Sequence, residues 1–279
     1  MKKILIPTDF SENAGDALAY ALDFIGNQKA HLHILHIVEP SVTAPELSMT
    51  SDDLLKVLFD EGRASMKAVE AYSKKSLAEM GKSQVKLTTN VTAGGTAAAI
   101  NEEAKVIHAD LIIMGTQGSN HSRLEKALGT ISTGVLSDSP CPVILVPQAY
   151  RFKPIDKVLF ATNLAHEDPY ELWRATELIY PNISIVRCIH VVKDRVAKDD
   201  KALETFAKYM VDHSPSIQTI FHIELGKDIE SVIAEYANDY GAELIIMHRS
   251  KRNFWEKVFG KSHTRRMAFM LELPLLVLN

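Results

Sequence analysis

Four blocks recur in the same order in the two halves of this 279-residue chain, and that repeat limits the folds open to it. Residues 2–10 read KKILIPTDF and residues 156–164 read DKVLFATNL. Residues 31–38 read HLHILHIV, against ISIVRCIHVV at 183–192, each closing on His-Ile-Val or His-Val-Val. ADLIIMG at 109–115 answers AELIIMH at 242–248, and SPCPVILVP at 139–147 answers ELPLLVLN at 272–279. The join falls near 148–154 (QAYRFKP), where Pro147 and Pro154 punctuate the chain. Two tandem copies are therefore expected, 1–150 and 151–279.

Within each copy, short apolar runs alternate with amphipathic stretches. Copy one reads as strand 3–8, helix 11–26, strand 32–38, a long helix 51–80, strand 84–91, helix 96–107, strand 110–114, a glycine-bearing loop, helix 130–137 and strand 142–146. All-apolar strands between helices indicate an α/β fold whose parallel sheet is covered on both faces. Ser11 suits an N-cap, and Ala14, Leu18, Ala21, Leu22 and Ile25 line one face of the first helix. Ligands of such sheets lie beyond the carboxyl ends of the strands, where strand order reverses. In copy one those ends are Thr8-Asp9, Ile37-Val38, Ala93-Gly94 and Met114-Gly115.

After Met114 the chain reads Gly115-Thr116-Gln117-Gly118, then ten residues, then Gly129-Thr130-Ile131-Ser132. Paired glycines let backbone turn sharply and approach a ligand without a Cβ in the way. Free N–H groups opening the following helix, with the Thr130 and Ser132 hydroxyls, suit a phosphate. Asp9 faces this cluster from the end of the first strand. It serves either as a ligand contact or as a cap on the first helix, a service Ser11 already offers.

Asp9, with Gly115-x2-Gly118-x10-Gly129-Thr130, resembles the pattern of the ATP-binding universal stress proteins (UspA family). That pattern is an Asp ending strand one and G-x2-G-x9-G-(S/T) after strand four. The likeness runs nearly the length of the chain, as in tandem-domain members. One extra residue lies between Gly118 and Gly129, an insertion that costs a surface loop little. The resemblance implies two tandem Rossmann-like (adenine nucleotide α-hydrolase-like) domains, each a five-stranded parallel sheet flanked by helices. It implies ATP or AMP, with or without Mg, as the cofactor of copy one. Asp9 would then meet the adenosine part, ribose or base, Val38 would pack near adenine through its backbone, and Pro7, Thr8 and Met114 would belong to the same nucleotide site. Gly115, Gly118, Gly129, Thr130, Ile131 and Ser132 would hold ribose and phosphates. It also implies an intrachain pseudo-dimer through the last strands. The apolar runs Val143–Val146 and Leu275–Leu278 would otherwise be bare sheet edges that invite pairing with another chain.

Copy two departs from this pattern. Asn163 stands for Asp9 and His248 for Gly115, followed by Arg249-Ser250-Lys251, so Gly118 has no counterpart. Gly260 survives, but Lys261 replaces Thr130. The nucleotide site is expected in the N-terminal copy alone. The window 248–266 is strongly basic, either an anion or acidic-partner site or a solvated surface. Phe254 and Trp255 interrupt it, as a partner patch or as core.

A formal net charge of -4 does not suggest a nucleic-acid or anionic-membrane partner. No run approaches the roughly 18 apolar residues of a membrane span, and the chain is expected to be cytoplasmic. Cys141 and Cys188 sit in apolar runs, as buried thiols of a reducing compartment do. His31 and His33 share one face of the second strand and His36 takes the other, so the three do not converge on a metal within that strand. H-E-x-x-H, C-x2-C, a complete Walker pattern and G-x-S-x-G are all missing, and Gly260-Lys261-Ser262 matches only the Walker tail. Phosphoryl transfer needs a metal carboxylate, a cation on the β/γ-phosphates and a group orienting the nucleophile. Asp9, Arg123 and Lys126 are a short inventory for that, one better suited to holding a nucleotide than to turning it over. The readings open are a nucleotide-binding stress-response regulator, a slow ATPase or self-phosphorylating enzyme with Thr130 or Ser132 as acceptor, and an adaptor that keeps the nucleotide as structural glue.

Overall fold

A computed structural model of the chain describes residues 1–39, 51–116, 130–179, 185–194, 197–214, 217–248 and 272–279. The chain divides into two compact units, Met1–Phe152 and Lys153–Asn279.

The first unit runs β1 (Lys2–Pro7), α1 (Glu12–Phe24), β2 (Ala30–Val38), α2 (Ser51–Glu79), β3 (Lys86–Ala93), α3 (Thr96–Val106), β4 (Leu111–Gly115), α4 (Thr130–Asp138) and β5 (Val143–Val146). Its strands lie in the order β3-β2-β1-β4-β5, and each neighbouring pair is parallel. Parallel neighbours need crossovers, and helices α1 to α4 supply them. Ile4, Leu5 and Ile6 of β1 and Leu111, Ile112 and Ile113 of β4 are fully buried, as central strands of a sheet covered on both faces must be. The stripe Ala14, Leu18, Ala21, Leu22 and Ile25 is buried, and the Ser11 hydroxyl caps α1 by accepting from the Ala14 N–H at 3.2 Å.

The segment after β5 folds back on α1. Asp16 accepts from the Ala149 N–H at 2.7 Å and from Arg151 at 2.8 Å, and the Phe152 ring meets Tyr20 edge-on at 5.3 Å. These ties explain why the first unit extends to Phe152.

The second unit repeats the plan with β6 (Lys157–Ala161), α5 (Asp168–Ile179), β7 (Ile185–Val192), α6 (Ala197–His213), β8 (Gln218–Leu225), α7 (Ile229–Tyr240), β9 (Leu244–His248) and β10 (Leu275–Leu278). Its order is β8-β7-β6-β9-β10, again parallel throughout. In each unit the order reverses next to the first strand, between β1 and β4 and between β6 and β9. That reversal places a crevice at the carboxyl ends of those strands. No described helix is long and apolar enough to cross a membrane.

Candidate functional site

The crevice of the first unit begins where β1 stops. The Thr8 N–H still donates to the Leu35 carbonyl at 2.8 Å, one residue beyond the paired strand. The backbone then turns sharply. The Thr8 hydroxyl accepts from the Phe10 N–H at 3.0 Å, and Asp9 Oδ1 accepts from the Ser11 N–H at 3.0 Å. Phe10 takes a left-handed conformation, φ 64°, which is costly for a residue with a large side chain and needs such ties to hold it. The helix cap is Ser11 and not Asp9. The Asp9 carboxylate instead shapes the loop that carries it, at the mouth of the crevice.

Gly115 ends β4, and β4 lies beside β1. A Cβ there would sit 2.5 Å from Asn13 Oδ1 and 2.7 Å from Asn13 Cγ. Asn13 is itself buried and donates from Nδ2 to the Val146 carbonyl at 3.2 Å. Close approach of the first helix therefore explains this glycine, whether or not a ligand also approaches it. Ser132, near the start of α4, donates to the carbonyls of Gly115 at 3.3 Å and Thr116 at 3.2 Å. Its hydroxyl proton ties α4 to the end of β4, where the sequence had suggested a direct phosphate contact.

The structure thus gathers Pro7, Thr8, Asp9, Met114, Gly115, Ile131 and Ser132 around neighbouring strand and helix ends. Val38 ends β2, is buried, and its carbonyl accepts from the Gly94 N–H at 3.2 Å. Thr130 opens α4. Gly118 and Gly129 lie outside the described residues, as do the basic window after His248 and the aromatic pair Phe254-Trp255.

The second unit repeats the turn atom by atom. The Thr162 N–H donates to the Ile189 carbonyl at 2.9 Å, the Thr162 hydroxyl accepts from the Leu164 N–H at 2.9 Å, and Asn163 Oδ1 accepts from the Ala165 N–H at 3.0 Å. Leu164 is left-handed, φ 57°. The crevice itself differs. His248 stands where Gly115 ends β4, and its Nδ1 lies 2.9 Å from Asp168 Oδ1. Asp168 is only 1% exposed, and its other oxygen accepts from the Thr162 hydroxyl and from the Ala165 N–H at 3.1 Å. An imidazole bonded to a buried carboxylate takes the place of the glycine.

A second polar cluster lies between β2, β3 and α3. His31 Nε2 and His33 Nδ1 each lie 2.7 Å from the Thr88 hydroxyl, which donates to one ring and accepts from the other. His33 Nε2 is 3.0 Å from Glu103 Oε1, without the alignment of a hydrogen bond. Burial, outweighing Glu103, holds His33 below its ordinary range, and burial followed by nearby Lys86 does the same for His31. Among the described residues no group of three or more His, Cys, Asp or Glu is placed to hold a metal ion. Burial pushes the Cys141 thiol up to about 12 and the Cys188 thiol well above its ordinary range.

Three features escaped the sequence. Asn13 and Asp168 carried no motif. His36 is visible in the repeated His-Ile-Val and His-Val-Val, which marks the duplication, and in the strand alternation that argues against a shared metal, but neither signal points to Thr8.

Comparison with known proteins agrees with this architecture. The model of the universal stress protein family matches residues 1–147. The universal stress protein MJ0531 of Methanocaldococcus jannaschii is 33% identical over 147 residues, covering 52% of this chain and 81% of that protein. The universal stress protein Sll1654 of Synechocystis sp. is 28% identical over 150 residues, 52% of this chain and 85% of that one. The crystal structure of a universal stress protein from Archaeoglobus fulgidus superposes with a TM-score of 0.74, at 21% identity, over 99% of this chain and 98% of that one. With the family model spanning more than half its length, the chain belongs to the universal stress protein family.

Proposed function

We propose that the first unit binds an adenine nucleotide, ATP or AMP, with or without Mg, and that the second unit has lost this capacity. One observation carries the reading. The two strand-end turns are built alike, yet Asp9 and Gly115 line the first crevice where Asn163 and the His248–Asp168 pair line the second. A carboxylate at the end of β1 suits ribose or base donors. The glycine leaves backbone approachable, whereas the imidazole fills that place in the second unit. Pro7, Thr8, Val38, Met114, Gly118, Gly129, Thr130 and Ile131 complete the proposed contacts, with Ser132 bracing the end of β4. The nucleotide regulates the chain's shape or associations in a stress response, and hydrolysis is not its main business.

Titration of the full chain with ATP and with AMP tests this reading directly. It expects one nucleotide per chain. Two equivalent sites, or none, would overturn it. Incubation with Mg-ATP discriminates the enzyme alternative. Release of ADP or AMP well above that of a Gly118→Val variant would favour a slow ATPase.

A further inference from the structure

We propose that His36 is a positioning residue for Asp9, clamping the turn after β1 by a bond to the Thr8 carbonyl. The clamp stands on geometry alone, and its consequence for nucleotide rests on the reading above. His36 Nδ1 lies 2.8 Å from the Thr8 carbonyl oxygen. A carbonyl only accepts, so Nδ1 carries the proton. Thr8 is the first residue past the paired part of β1, and its N–H is already spent on Leu35. The imidazole therefore continues the tie between β1 and β2 after the backbone ladder has ended. The next two residues are Asp9 and the left-handed Phe10. Without the clamp, the tie of this turn to β2 rests on the Thr8 N–H bond to Leu35.

The ring is itself packed by two elements. The Phe10 ring packs on it, centroids 4.3 Å apart. Helix α2 also passes the ring, at Gly62, in the interior of a helix, where glycine is a poor choice. A Cβ at Gly62 would lie 3.0 Å from His36 Cδ2, 3.4 Å from its Nε2 and 3.3 Å from Val91 Cγ1. The glycine lets α2 press the ring against Thr8. The second unit keeps the bare clamp, His190 Nδ1 at 2.9 Å from the Thr162 carbonyl, but carries Leu164 in place of Phe10. The clamp thus belongs to the fold, and among the described residues an aromatic ring packs on His36 and none on His190.

The experiment uses the full chain with His36→Leu, His36→Asn, Gly62→Leu and His190→Leu. The Asn side-chain nitrogen reaches the position of Nδ1, so His36→Asn keeps the donor. Amide hydrogen exchange of the ligand-free protein should quicken at Phe10 and Ser11 in His36→Leu and Gly62→Leu, and stay near wild type in His36→Asn. ATP affinity should fall about tenfold in His36→Leu, recover to within about threefold in His36→Asn, and be unchanged in His190→Leu. If His36→Leu does not fold, Gly62→Leu carries the same comparison with the histidine still present. Wild-type exchange at Phe10 and Ser11 in both disrupting variants would overturn the clamp, as would His36→Asn behaving like His36→Leu. Quickened exchange with unchanged ATP affinity would overturn the positioning role. A wild-type chain that binds no ATP defeats the nucleotide reading instead, and the exchange data then decide the clamp by themselves.

Discussion

The two strand-end turns share their skeleton and differ in what they present. Both use a threonine hydroxyl, an Asx side chain, a left-handed third residue and a histidine on the threonine carbonyl. None of these devices needs a carboxylate or a glycine on the neighbouring strand. The exchanges of Asp9 for Asn163, Gly115 for His248 and Ala14 for Asp168 therefore alter the crevice without altering the scaffold. The last two are coupled. A histidine ending β9 finds its partner in an aspartate opening α5, and the pair bridges two elements. Maintaining a fold and maintaining a site draw on different residues, even when the two sets sit one position apart.

The comparison breaks first at the buried pair. Asp168→Ala takes the carboxylate from His248 and from the Thr162 hydroxyl proton together, while the Ala165 N–H keeps Asn163 Oδ1. Leaving a buried donor unsatisfied costs about 1–3 kcal/mol, and two are left here. Denaturant unfolding should show that loss in the second unit, with ATP affinity unchanged. An unmoved transition would mean that the pair does not stabilise the second unit.

A smaller effect sharpens the charge difference. Asp9→Asn gives the first unit the second unit's residue and, as Asn163 shows, retains the turn bond. Loss of a charge-assisted bond should weaken ATP by about 1.5–3 kcal/mol, roughly ten- to hundredfold, with little change in melting temperature. Unchanged affinity would make the charge irrelevant. The reciprocal Asn163→Asp should create no second site while His248 remains.

The two sheets also differ in their answer to pH. At the position of His33 on β2, β7 carries Arg187, over the Tyr240 ring at 4.1 Å and 3.4 Å from the Tyr236 hydroxyl. Arginine does not titrate in the relevant range, whereas His31 and His33 lie below their ordinary 6.5 in the folded chain. The unfolded chain then takes up the proton first as pH falls. Their contribution is full above about 6.5 and is lost as pH drops through that value toward the folded pKa. Melting of the first unit should fall below pH 6.5, and His33→Gln should flatten the slope. An unaltered slope would place the pH dependence elsewhere.

The smallest expected effect is none. Cys141 and Cys188 are buried, with thiols pushed well up, so neither should react with a thiol reagent at pH 8 until its unit unfolds. Labelling of one cysteine in native protein would mark the less stable unit.

Much of this was legible in the residues. Runs such as LIIMG and LIIMH are too short and too apolar to be anything but central strands between helices, and the repeat set both halves on one plan. The Ser11 cap and the buried stripe of α1 followed from spacing alone. The exchanges of Asp9 and Gly115 were visible by aligning the halves. Only the tertiary structure showed that Gly115 makes room for Asn13, that Ser132 spends its proton on β4, and that His248 meets Asp168, eighty positions away in sequence. It alone gave the repeated histidine a task, and gave the helix glycine Gly62 a reason. The division has a physical cause. Periodicity and local hydrogen bonding act over a few residues and leave their mark in sequence order. A crevice is made by strand and helix ends that crossovers bring together, and which side chains meet there depends on the packed distances between elements.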